Sequence, residues 1–429
     1  MITPCLLSFL LLQAAVSPAA PAPPDRAALA AAIEAHRKGD IVVEVTREQR
    51  PVAGARVEIR QTRHAFLFGS NIFGLRPDDP SALQAAYRER FAALFDYATL
   101  PFYWGRYEPR RGETEESRLR AMAGWCRTLG IDVKGHPVLW HEVFPRWIGN
   151  DDAIEPLVAR RIRDTVGTFR GLVNRWDVVN ESLVAPDFDN AWGLFVKAVG
   201  PTEAVDRALR LAAGANPEAS LLVNDFRIEP GFEAELRELQ ERGAPFHAIG
   251  IQSHMHGEEW SPERTWSVCE TYGRLGLPLH FTELTVLSGP KETPMTDYHR
   301  RRESWKTTPG DEARQAEYVE RFYELLFAHP AVEAITWWDL SDFRSWMAAP
   351  AGLLREDMSP KPAYERLFAK IRGEWWTARA EAVTDESGGA TLRGFKGSYE
   401  ATVTFPDGVT RPAALEIGGR SPAVVQVKR

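Results

Sequence analysis

The chain has 429 residues, of which 44% are hydrophobic and 26% are charged, and its formal net charge at pH 7 is −7. These are the proportions of a soluble globular protein, with core volume for one large domain or for two to three ordinary ones. Acidic and basic residues are interspersed, which gives no reason to expect nucleic acid or an anionic membrane as a partner. An uncharged substrate fits this composition better.

Residues 1–20 form the first distinctive segment. They carry no charged side chain and contain an apolar run that is followed by small residues. This pattern predicts a secretory signal peptide cleaved near Ala19 or Ala20, and hence a secreted or periplasmic protein. A buried N-terminal helix is the alternative. The apolar run is too short for a membrane anchor. Residues 21–36, which begin Pro-Ala-Pro-Pro, are interpreted as a stiff linker.

Two regions that flank the long middle of the chain have the alternating polarity of β-strands. In residues 37–64, Ile41–Val45 and Ala55–Ile59 are predicted strands on either side of a Pro- and Gly-containing turn, which indicates a hairpin. Residues 373–429 contain a Gly-Gly turn and an alternating run at Tyr399–Phe405, which predicts a small β-rich module. The two regions could share one accessory sheet, because neither buries much by itself.

Residues 65–372 alternate short apolar runs with longer amphipathic stretches. This pattern predicts an α/β fold, a closed (β/α)8 TIM barrel, with the β-rich N-terminal hairpin and C-terminal β extension attached. An open doubly wound sheet is the alternative, but no G-x-G-x-x-G loop follows the first strand. The predicted strands are residues 66–69, a less regular run ending near Thr99, 131–136, 173–180, 221–224, 248–251, 279–281 and 334–338; helical patterns include 153–170, 202–213, 231–242 and 312–328.

Polar side chains collect where these runs end, which in a barrel is the active face. The residues are His136, Asn180, Glu181, Asn224, Asp225, Gln252, His254, Glu283 and Trp338. Glu181 and Glu283 each follow an apolar, β-branched run. Two carboxyl groups, one protonated and one ionised, are what cleavage of a glycosidic bond needs. The alternative for each glutamate is an ion pair with an arginine in the barrel mouth.

Tryptophan and cysteine counts add two observations. There are 14 Trp, and several lie near strand ends or in loops, where their flat faces suit sugar rings. For any single Trp, filling the core is an equally good explanation. Of the three Cys, Cys5 lies in the leader, and Cys126 and Cys269 lie in separate helical patterns, which favours two buried thiols over a disulfide. No Cys/His spacing matches a zinc site.

Six motifs follow one another along the predicted barrel. They are Gly135-His136-Pro137-Val138-Leu139-Trp140-His141, Trp176-Asp177-Val178-Val179-Asn180-Glu181, Asn224-Asp225, Gly250-Ile251-Gln252-Ser253-His254, Thr282-Glu283-Leu284 and Ser359-Pro360-Lys361-Pro362-Ala363-Tyr364. In this order they resemble glycoside hydrolase family 10, the endo-β-1,4-xylanase family of (β/α)8 barrels. The resemblance covers about residues 65–372.

The resemblance implies a retaining endo-β-1,4-xylanase that acts by double displacement. Glu181 would be the general acid/base and Glu283 the nucleophile, and Asn180 would bind the 2-hydroxyl of the reacting sugar. It also implies a polysaccharide partner, neither metal nor cofactor, and we expect a monomer. The residues expected to bind substrate besides Asn180 are His136, Trp140, Gln252, His254, Trp338, Trp346 and Trp104.

The chain departs from the family pattern at three places. After the second strand the family usually has a Glu-Asn pair and a Lys before Trp; here Trp104 remains, Tyr103 takes the place of the Lys, and the charged residues that grip the non-reducing sugars are absent. Thr285 stands where an Asp usually supports His254. Phe226 and Arg227 replace Tyr and Asn. These differences weaken the inference to ordinary xylan, because substrate choice depends on such residues.

Three other interpretations stay open. A metal-dependent barrel hydrolase would use His136, His141, His254 and His256, but no His-x-His pair accompanies them at the end of the first strand. A carbohydrate-binding protein on a retired enzyme scaffold would explain the lost residues, although it would need no proton donor. A β-glycosidase acting on a decorated xylan or another β-linked polysaccharide is the third.

Overall fold

The computed structural model describes residues 22–292, 300 and 305–418. The signal-peptide prediction for residues 1–20 lies outside these residues.

The centre of the molecule is a closed barrel of eight parallel strands, each hydrogen-bonded to its chain neighbours, with the last strand paired to the first. The predicted (β/α)8 fold is therefore confirmed. Most positions in these strands are buried, because the barrel interior and the surrounding helices cover both faces. The barrel strands are β5 (Leu67–Asn71), β6 (Tyr97–Pro101), β7 (Asp132–His136), β8 (Arg175–Asn180), β9 (Ser220–Asp225), β10 (Ala248–Met255), β11 (Leu279–Val286) and β12 (Val332–Trp337).

The helices surround the barrel, and several begin at residues suited to capping. The side chains of Ser81, Asn190, Ser261 and Thr308 each accept a hydrogen bond from a backbone N–H of the first turn. Such a cap stabilises a helix by about 1 kcal/mol. The helices are α1 (Arg26–Arg37), α2 (Ala82–Leu94), α3 (Trp104–Tyr107), α4 (Glu116–Thr128), α5 (Ile154–Ile162), α6 (Ala191–Val199), α7 (Pro201–Ala215), α8 (Pro230–Glu241), α9 (Pro262–Gly273), α10 (Pro309–Ala328) and α11 (Pro362–Ala369).

Helix α1 corrects the prediction of a stiff linker over residues 21–36. Asp25 caps this helix by accepting from the Ala28 N–H, and Leu29 is buried against Trp266 and Leu325. The Ala-rich sequence that follows the prolines favours a helix, and burial of one apolar stripe stabilises it. Only the Pro-rich start of the segment has the character of a spacer.

The flanking β regions form three small accessory sheets in the described residues. The strands are β1 (Lys38–Glu44), β2 (Thr46–Arg47), β3 (Arg50–Pro51), β4 (Arg56–His64), β13 (Ala380–Val383), β14 (Gly389–Phe395), β15 (Gly397–Thr404) and β16 (Thr410–Ile417). Only β2 and β3 pair directly across the predicted hairpin turn. The longer strands diverge: β1 pairs with β14, and β4 lies between β13 and β15, with β16 beyond β15.

These accessory sheets share one apolar core, to which both ends of the described chain contribute. Ile41, Val57, Leu392, Tyr399 and Val403 are buried in it. The two-stranded β1–β14 sheet is too small to be stable alone, and burial of its apolar residues against those of the four-stranded sheet supplies the missing contact. Because β4 leads directly into the start of β5, the accessory sheets adjoin the end of the barrel opposite the carboxyl ends of its strands.

Two smaller observations complete the fold. Cys126 and Cys269 are both buried free thiols, as predicted. None of the helices in the described ranges has both the length and the apolar character needed to cross a lipid bilayer.

Candidate active site

Seven of the residues predicted from strand ends lie together at the carboxyl ends of β7 to β11. They are His136, Asn180, Glu181, Asn224, Gln252, His254 and Glu283, and hydrogen bonds or close ionic contacts connect them. Glu181 and Glu283 are 8% and 5% exposed, so both carboxyl groups are largely removed from water. The two glutamates that are about a hundred residues apart in the chain thus belong to one site.

Glu181 occupies a left-handed backbone conformation, with φ of 56°. A non-glycine residue in this region costs roughly 1–3 kcal/mol, and such strain is found mainly at functional sites. The bend lets two consecutive side chains enter the same site instead of pointing to opposite faces: Asn180 Nδ2 donates to Glu181 Oε1 at 2.9 Å. The sequence left open whether Asn180 points away or lies at a bend, and the structure shows the bend.

The Glu181 carboxyl group is surrounded by hydrogen-bond donors but by little positive charge. Trp140 Nε1 donates to Oε2 at 2.8 Å, and Gln252 Nε2 donates to Oε1 at 2.9 Å. Burial raises the pKa of Glu181 to about 8, and the negative charge of Glu283 adds to the effect of burial. Glu181 is therefore protonated at neutral pH and able to give a proton to a leaving group.

The Glu283 carboxyl group has the opposite surroundings. His254 Nε2 lies 3.1 Å from Oε2, His136 Nε2 lies 3.8 Å from Oε1, and Asn224 Nδ2 donates to Oε1 at 2.8 Å. Burial opposes ionisation, but the charges of His136, His254 and Lys134 outweigh it and lower the pKa of Glu283. Two buried glutamates thus take different protonation states, which separates an acid from an ionised carboxylate.

A pair of asparagines links the two carboxyl groups. Asn224 Nδ2 donates both to Glu283 Oε1 and, at 2.7 Å, to Asn180 Oδ1, while Asn180 donates to Glu181. Thr282 Oγ1 donates to Asn224 Oδ1 at 2.6 Å and so fixes the orientation of the amide. A Cβ at Gly250 would clash with the Asn224 side chain, so glycine is required there. The relative position of Glu181 and Glu283 is therefore held by rigid strand residues.

A buried ion pair lies beneath His136. Lys134 Nζ is 2.6 Å from Asp177 Oδ2, and His136 Nδ1 is 2.8 Å from the same oxygen. Burial opposes ionisation of Asp177, but Lys134 and His136 outweigh it and lower the pKa of Asp177. The carboxylate orients the imidazole so that its other nitrogen faces Glu283. Alternate positions on β7 carry Lys134 and His136, a period-2 signal that could have identified Lys134 from the sequence.

Thr285 supports His254 from the position where the family usually has Asp. His254 Nδ1 lies 2.7 Å from Thr285 Oγ1, and that hydroxyl donates to the Trp338 carbonyl oxygen at 3.0 Å. The hydroxyl proton is thus used on Trp338, which leaves a lone pair of Oγ1 to accept from the imidazole. The Thr285 hydroxyl carries no charge, unlike the carboxylate of the usual Asp, but it still holds the His254 imidazole by a hydrogen bond.

Replacing Thr285 by Val tests this support. Thr285 is 1% exposed, and Val has a similar shape but no hydroxyl. We expect kcat/KM to fall by roughly 10- to 100-fold, as for loss of an outer hydrogen bond to a site imidazole. Thr285→Ser, which keeps the hydroxyl, is the matched control and should retain most activity. Equal losses in both variants, with unchanged thermal stability, would contradict the hydrogen-bonding role.

Aromatic rings form the walls beside the two carboxyl groups. The ring of Trp338 lies 5.3 Å from that of His136, and the ring of Trp346 lies 4.8 Å from that of His254. Tyr103, which replaces the usual Lys, lies 5.5 Å from Trp140. The flat, partly apolar lining suits the faces of sugar rings. Trp346 is 37% exposed and so presents its ring to solvent at the mouth.

Trp104 is the predicted substrate-binding residue that the structure does not bring to the site. Its ring is 1% exposed and packs against Phe144 and Trp147, and its Nε1 donates to Glu108 Oε2 at 2.9 Å. With its face covered and its donor used, the ring has no surface for a ligand. The prediction for Trp104 was wrong because nearness to a strand end does not specify which way α3 turns its side chains.

A metal centre built on the four histidines is not found among the described residues. His136 faces Asp177 and Glu283, and His254 faces Glu283 and Thr285. The one group of possible metal ligands in the described chain is His141, Glu142 and Glu181, whose ligand atoms lie within 4.8 Å of one another. His141 Nε2 is 3.8 Å from Glu181 Oε2, a neighbour of the acid that the sequence analysis did not assign to the site.

A family model described as "Glycosyl hydrolase family 10" matches residues 75–370 of the chain. The chain belongs to glycosyl hydrolase family 10. The match covers the barrel from the loop after β5 to α11, and the expected family membership is confirmed.

Individual relatives agree with this assignment. Endo-1,4-beta-xylanase 2 of Arabidopsis thaliana is 28% identical over 82% of this chain and 31% of its own length. Anti-sigma-I factor RsgI6 of Acetivibrio thermocellus is 27% identical over 86% of this chain and 45% of its own. Endo-1,4-beta-xylanase B of Thermotoga neapolitana is 28% identical over 70% of this chain and 85% of its own. The chain thus spans less than half the length of the first two.

Among solved structures, native xylanase 10B from Thermotoga maritima superposes with a TM-score of 0.58 and 26% sequence identity. The superposition covers 72% of this chain and 96% of that one.

Proposed function

We propose that the protein is a retaining endo-β-1,4-xylanase that hydrolyses internal bonds of xylan or of a related β-linked glycan. The observation that carries this proposal is the asymmetry of two linked carboxyl groups: Glu181 holds its proton because it is buried, and Glu283 is ionised because cationic groups face it. The xylanase names of two relatives support the choice of xylan.

In the proposed mechanism Glu283 attacks the anomeric carbon while Glu181 protonates the departing glycosidic oxygen. A glycosyl–Glu283 ester forms and the leaving sugar diffuses away. Glu181, now ionised, removes a proton from water, which attacks the anomeric carbon and breaks the ester bond. The second displacement restores the original anomeric configuration and both protonation states. We further propose that Asn180, whose Nδ2 donates to Glu181 and which therefore lies beside the acid, binds the 2-hydroxyl of the reacting sugar.

The first test is a product profile on a panel of β-linked polysaccharides and linear xylo-oligosaccharides. Internal cleavage of xylan releases a mixture of short oligosaccharides early in the reaction, whereas attack from the chain end releases one product. The anomeric configuration of the first product, read by NMR before mutarotation, distinguishes retention from inversion. An initial α-product from a β-linked substrate would contradict the proposed double displacement.

The pH dependence follows from the two carboxyl groups. Activity requires Glu283 ionised, so kcat/KM should rise with pH through a pKa below the ordinary glutamate value. It also requires Glu181 protonated, so kcat/KM should fall as pH rises through about 8. A profile of kcat/KM from pH 3 to 10 should therefore show a broad plateau between these limits. A basic limb near pH 5 would show that burial does not protect the Glu181 proton.

A carbohydrate-binding protein is the second candidate. One relative bears the name of an anti-sigma factor and not that of an enzyme. Against this candidate, burial raises the pKa of Glu181 to about 8, which suits proton transfer, whereas a binding protein needs no proton donor there. Affinity for xylo-oligosaccharides without any products after prolonged incubation would favour the binder.

We also propose that the protein acts outside the cytoplasm. Support comes from the apolar run and small residues at the start of the sequence. Cell fractionation, with N-terminal sequencing of the mature chain, tests this proposal: a mature protein that retains residues 1–20 would contradict it.

A further inference from the structure

A second concave surface lies beside the active site, at the mouth of the barrel. It is a cavity of about 640 Å³ between the loop after β5, the start of α4 and the loop after β12. Its walls include Arg76, Arg118, Phe343 and Arg344. We call it the arginine cavity. Nothing in the proposed hydrolysis of a neutral glycan uses it.

The arginine cavity is one side chain away from the subsite of the reacting sugar. Phe73, whose neighbour Gly74 lines the cavity, has its ring 5.0 Å from that of Trp338 and 5.7 Å from that of Tyr103. Both rings border the carboxyl pair through His136. The cavity is therefore on the side where Tyr103 replaces the usual Lys.

Positive charge predominates in the cavity wall. In the described parts of the chain neither Arg76 nor Arg344 forms an ion pair; Arg76 donates to the carbonyl oxygens of Phe73 and Leu75, and the Arg344 guanidinium lies 5.1 Å from the centre of the Phe343 ring. Arg118 has one partially exposed pair, with Glu115. Burial and then the nearby charge of Arg76 lower the pKa of Arg118, as expected for guanidinium groups that converge.

Two carboxylates, Asp78 and Asp79, also line the cavity, so its wall has three cationic and two anionic side chains. Asp79 Oδ1 accepts a hydrogen bond from the Ser81 N–H at 2.8 Å, and this bond is the main reason that the pKa of Asp79 is lowered. The net charge of the wall is positive. A guanidinium with free N–H groups binds a carboxylate through two parallel hydrogen bonds.

We propose that the arginine cavity is a subsite for a uronic acid carried as a branch on the glycan. The carboxylate would pair with Arg344 and Arg76, and the exposed ring of Phe343, 36% accessible, would pack against the apolar face of the sugar. Arg344 also has a left-handed backbone, with φ of 61°, which places its side chain next to Phe343 at the cavity. This inference rests on the proposed glycosidase function and names the substrate class of its site.

The test compares two xylo-oligosaccharides of equal length, one unbranched and one bearing a single glucuronic acid. The measured quantity is the ratio of kcat/KM for the acidic substrate to that for the neutral one. We expect roughly a 10-fold or larger preference for the acidic substrate, the effect of one charge-assisted hydrogen-bonded pair. The ratio should shrink at high salt. It should approach one in Arg76→Gln/Arg344→Gln. Arg60→Gln, which changes an exposed side chain on β4, is the matched control.

The single variant Arg344→Lys is a second test in case the double variant misfolds. It keeps the positive charge but loses the two parallel N–H donors of the guanidinium, so its ratio of kcat/KM for the acidic and neutral substrates should be intermediate. Equal ratios in wild type and the arginine variants would overturn the proposal. If free glucuronate binds as tightly as the branched oligosaccharide, the cavity is only an anion site and the proposal also fails. If neither substrate is cleaved, the proposed hydrolysis is wrong, and calorimetric affinities for the same two oligosaccharides then decide whether the cavity selects the acid.

Discussion

Alanine in place of Glu283 is expected to remove turnover on every substrate, by about 10⁵-fold or more in kcat. Without the carboxylate no glycosyl ester can form, and a better leaving group cannot compensate for the missing nucleophile. The measurement is kcat on both xylo-oligosaccharides and activated aryl xylosides. The loss should be similar for the two, because both need the same attack.

The control for this variant is another buried carboxyl group that lies near the site but outside its chemistry. Glu235 on α8 is 3% exposed, accepts a hydrogen bond from Ser182 Oγ at 2.7 Å, and has its pKa raised to about 8 by burial. Glu235→Gln should keep near-normal activity, since a neutral amide replaces a neutral acid. Residual activity of Glu283→Ala above 1% of wild type would refute the role of Glu283.

Alanine in place of Glu181 should instead give a loss that depends on the leaving group. For unactivated xylo-oligosaccharides we expect kcat/KM to fall by roughly 10²- to 10⁴-fold, the usual contribution of a general acid. For an aryl xyloside whose phenol departs without a proton, formation of the glycosyl–enzyme should be nearly unimpaired. Its breakdown lacks the general base, so the intermediate should accumulate and appear as a burst of released phenol.

Addition of a small anion such as azide tests whether the glycosyl–enzyme still forms in Glu181→Ala. It needs no base to attack the glycosyl–enzyme, and so it should restore turnover in Glu181→Ala and yield a β-glycosyl azide. Azide should not restore Glu283→Ala in the same way, because no glycosyl–enzyme exists there. Equal losses for Glu181→Ala on activated and unactivated substrates would mean that the two roles have been assigned wrongly.

The sequence predicted the barrel and the carboxyl pair because both depend on local order. A buried parallel strand is a short apolar run, and its last residues must face the active end of the barrel. Glu181 and Glu283 follow such runs directly. Their different protonation states were also expected from the resemblance, but the causes required coordinates: only the structure shows that Lys134 lies under His136 and that Glu283 faces two imidazoles.

The predictions that failed concern the direction in which a side chain points and the pairing of strands that are distant in sequence. Trp104 is near a strand end, but the short helix α3 turns its ring into the core. The strands β1 and β4 formed near their predicted positions and share sheets with the C-terminal β region, as the sequence suggested, but they do not pair with one another as the predicted hairpin. The helix α1 was obscured by the prolines that precede it, although Asp25 is a good N-cap.

The pairing of β1 with β14 joins Lys38 to Phe395 and so closes a loop that contains the entire barrel. Contacts so distant in sequence form slowly, because the intervening chain must first be ordered. During synthesis β1 and β4 remain without their partner strands until the barrel and then β13 to β16 have been synthesised. The accessory sheets should consequently be the last part of the molecule to assemble, and their exposed edges would be the part most in need of protection by chaperones.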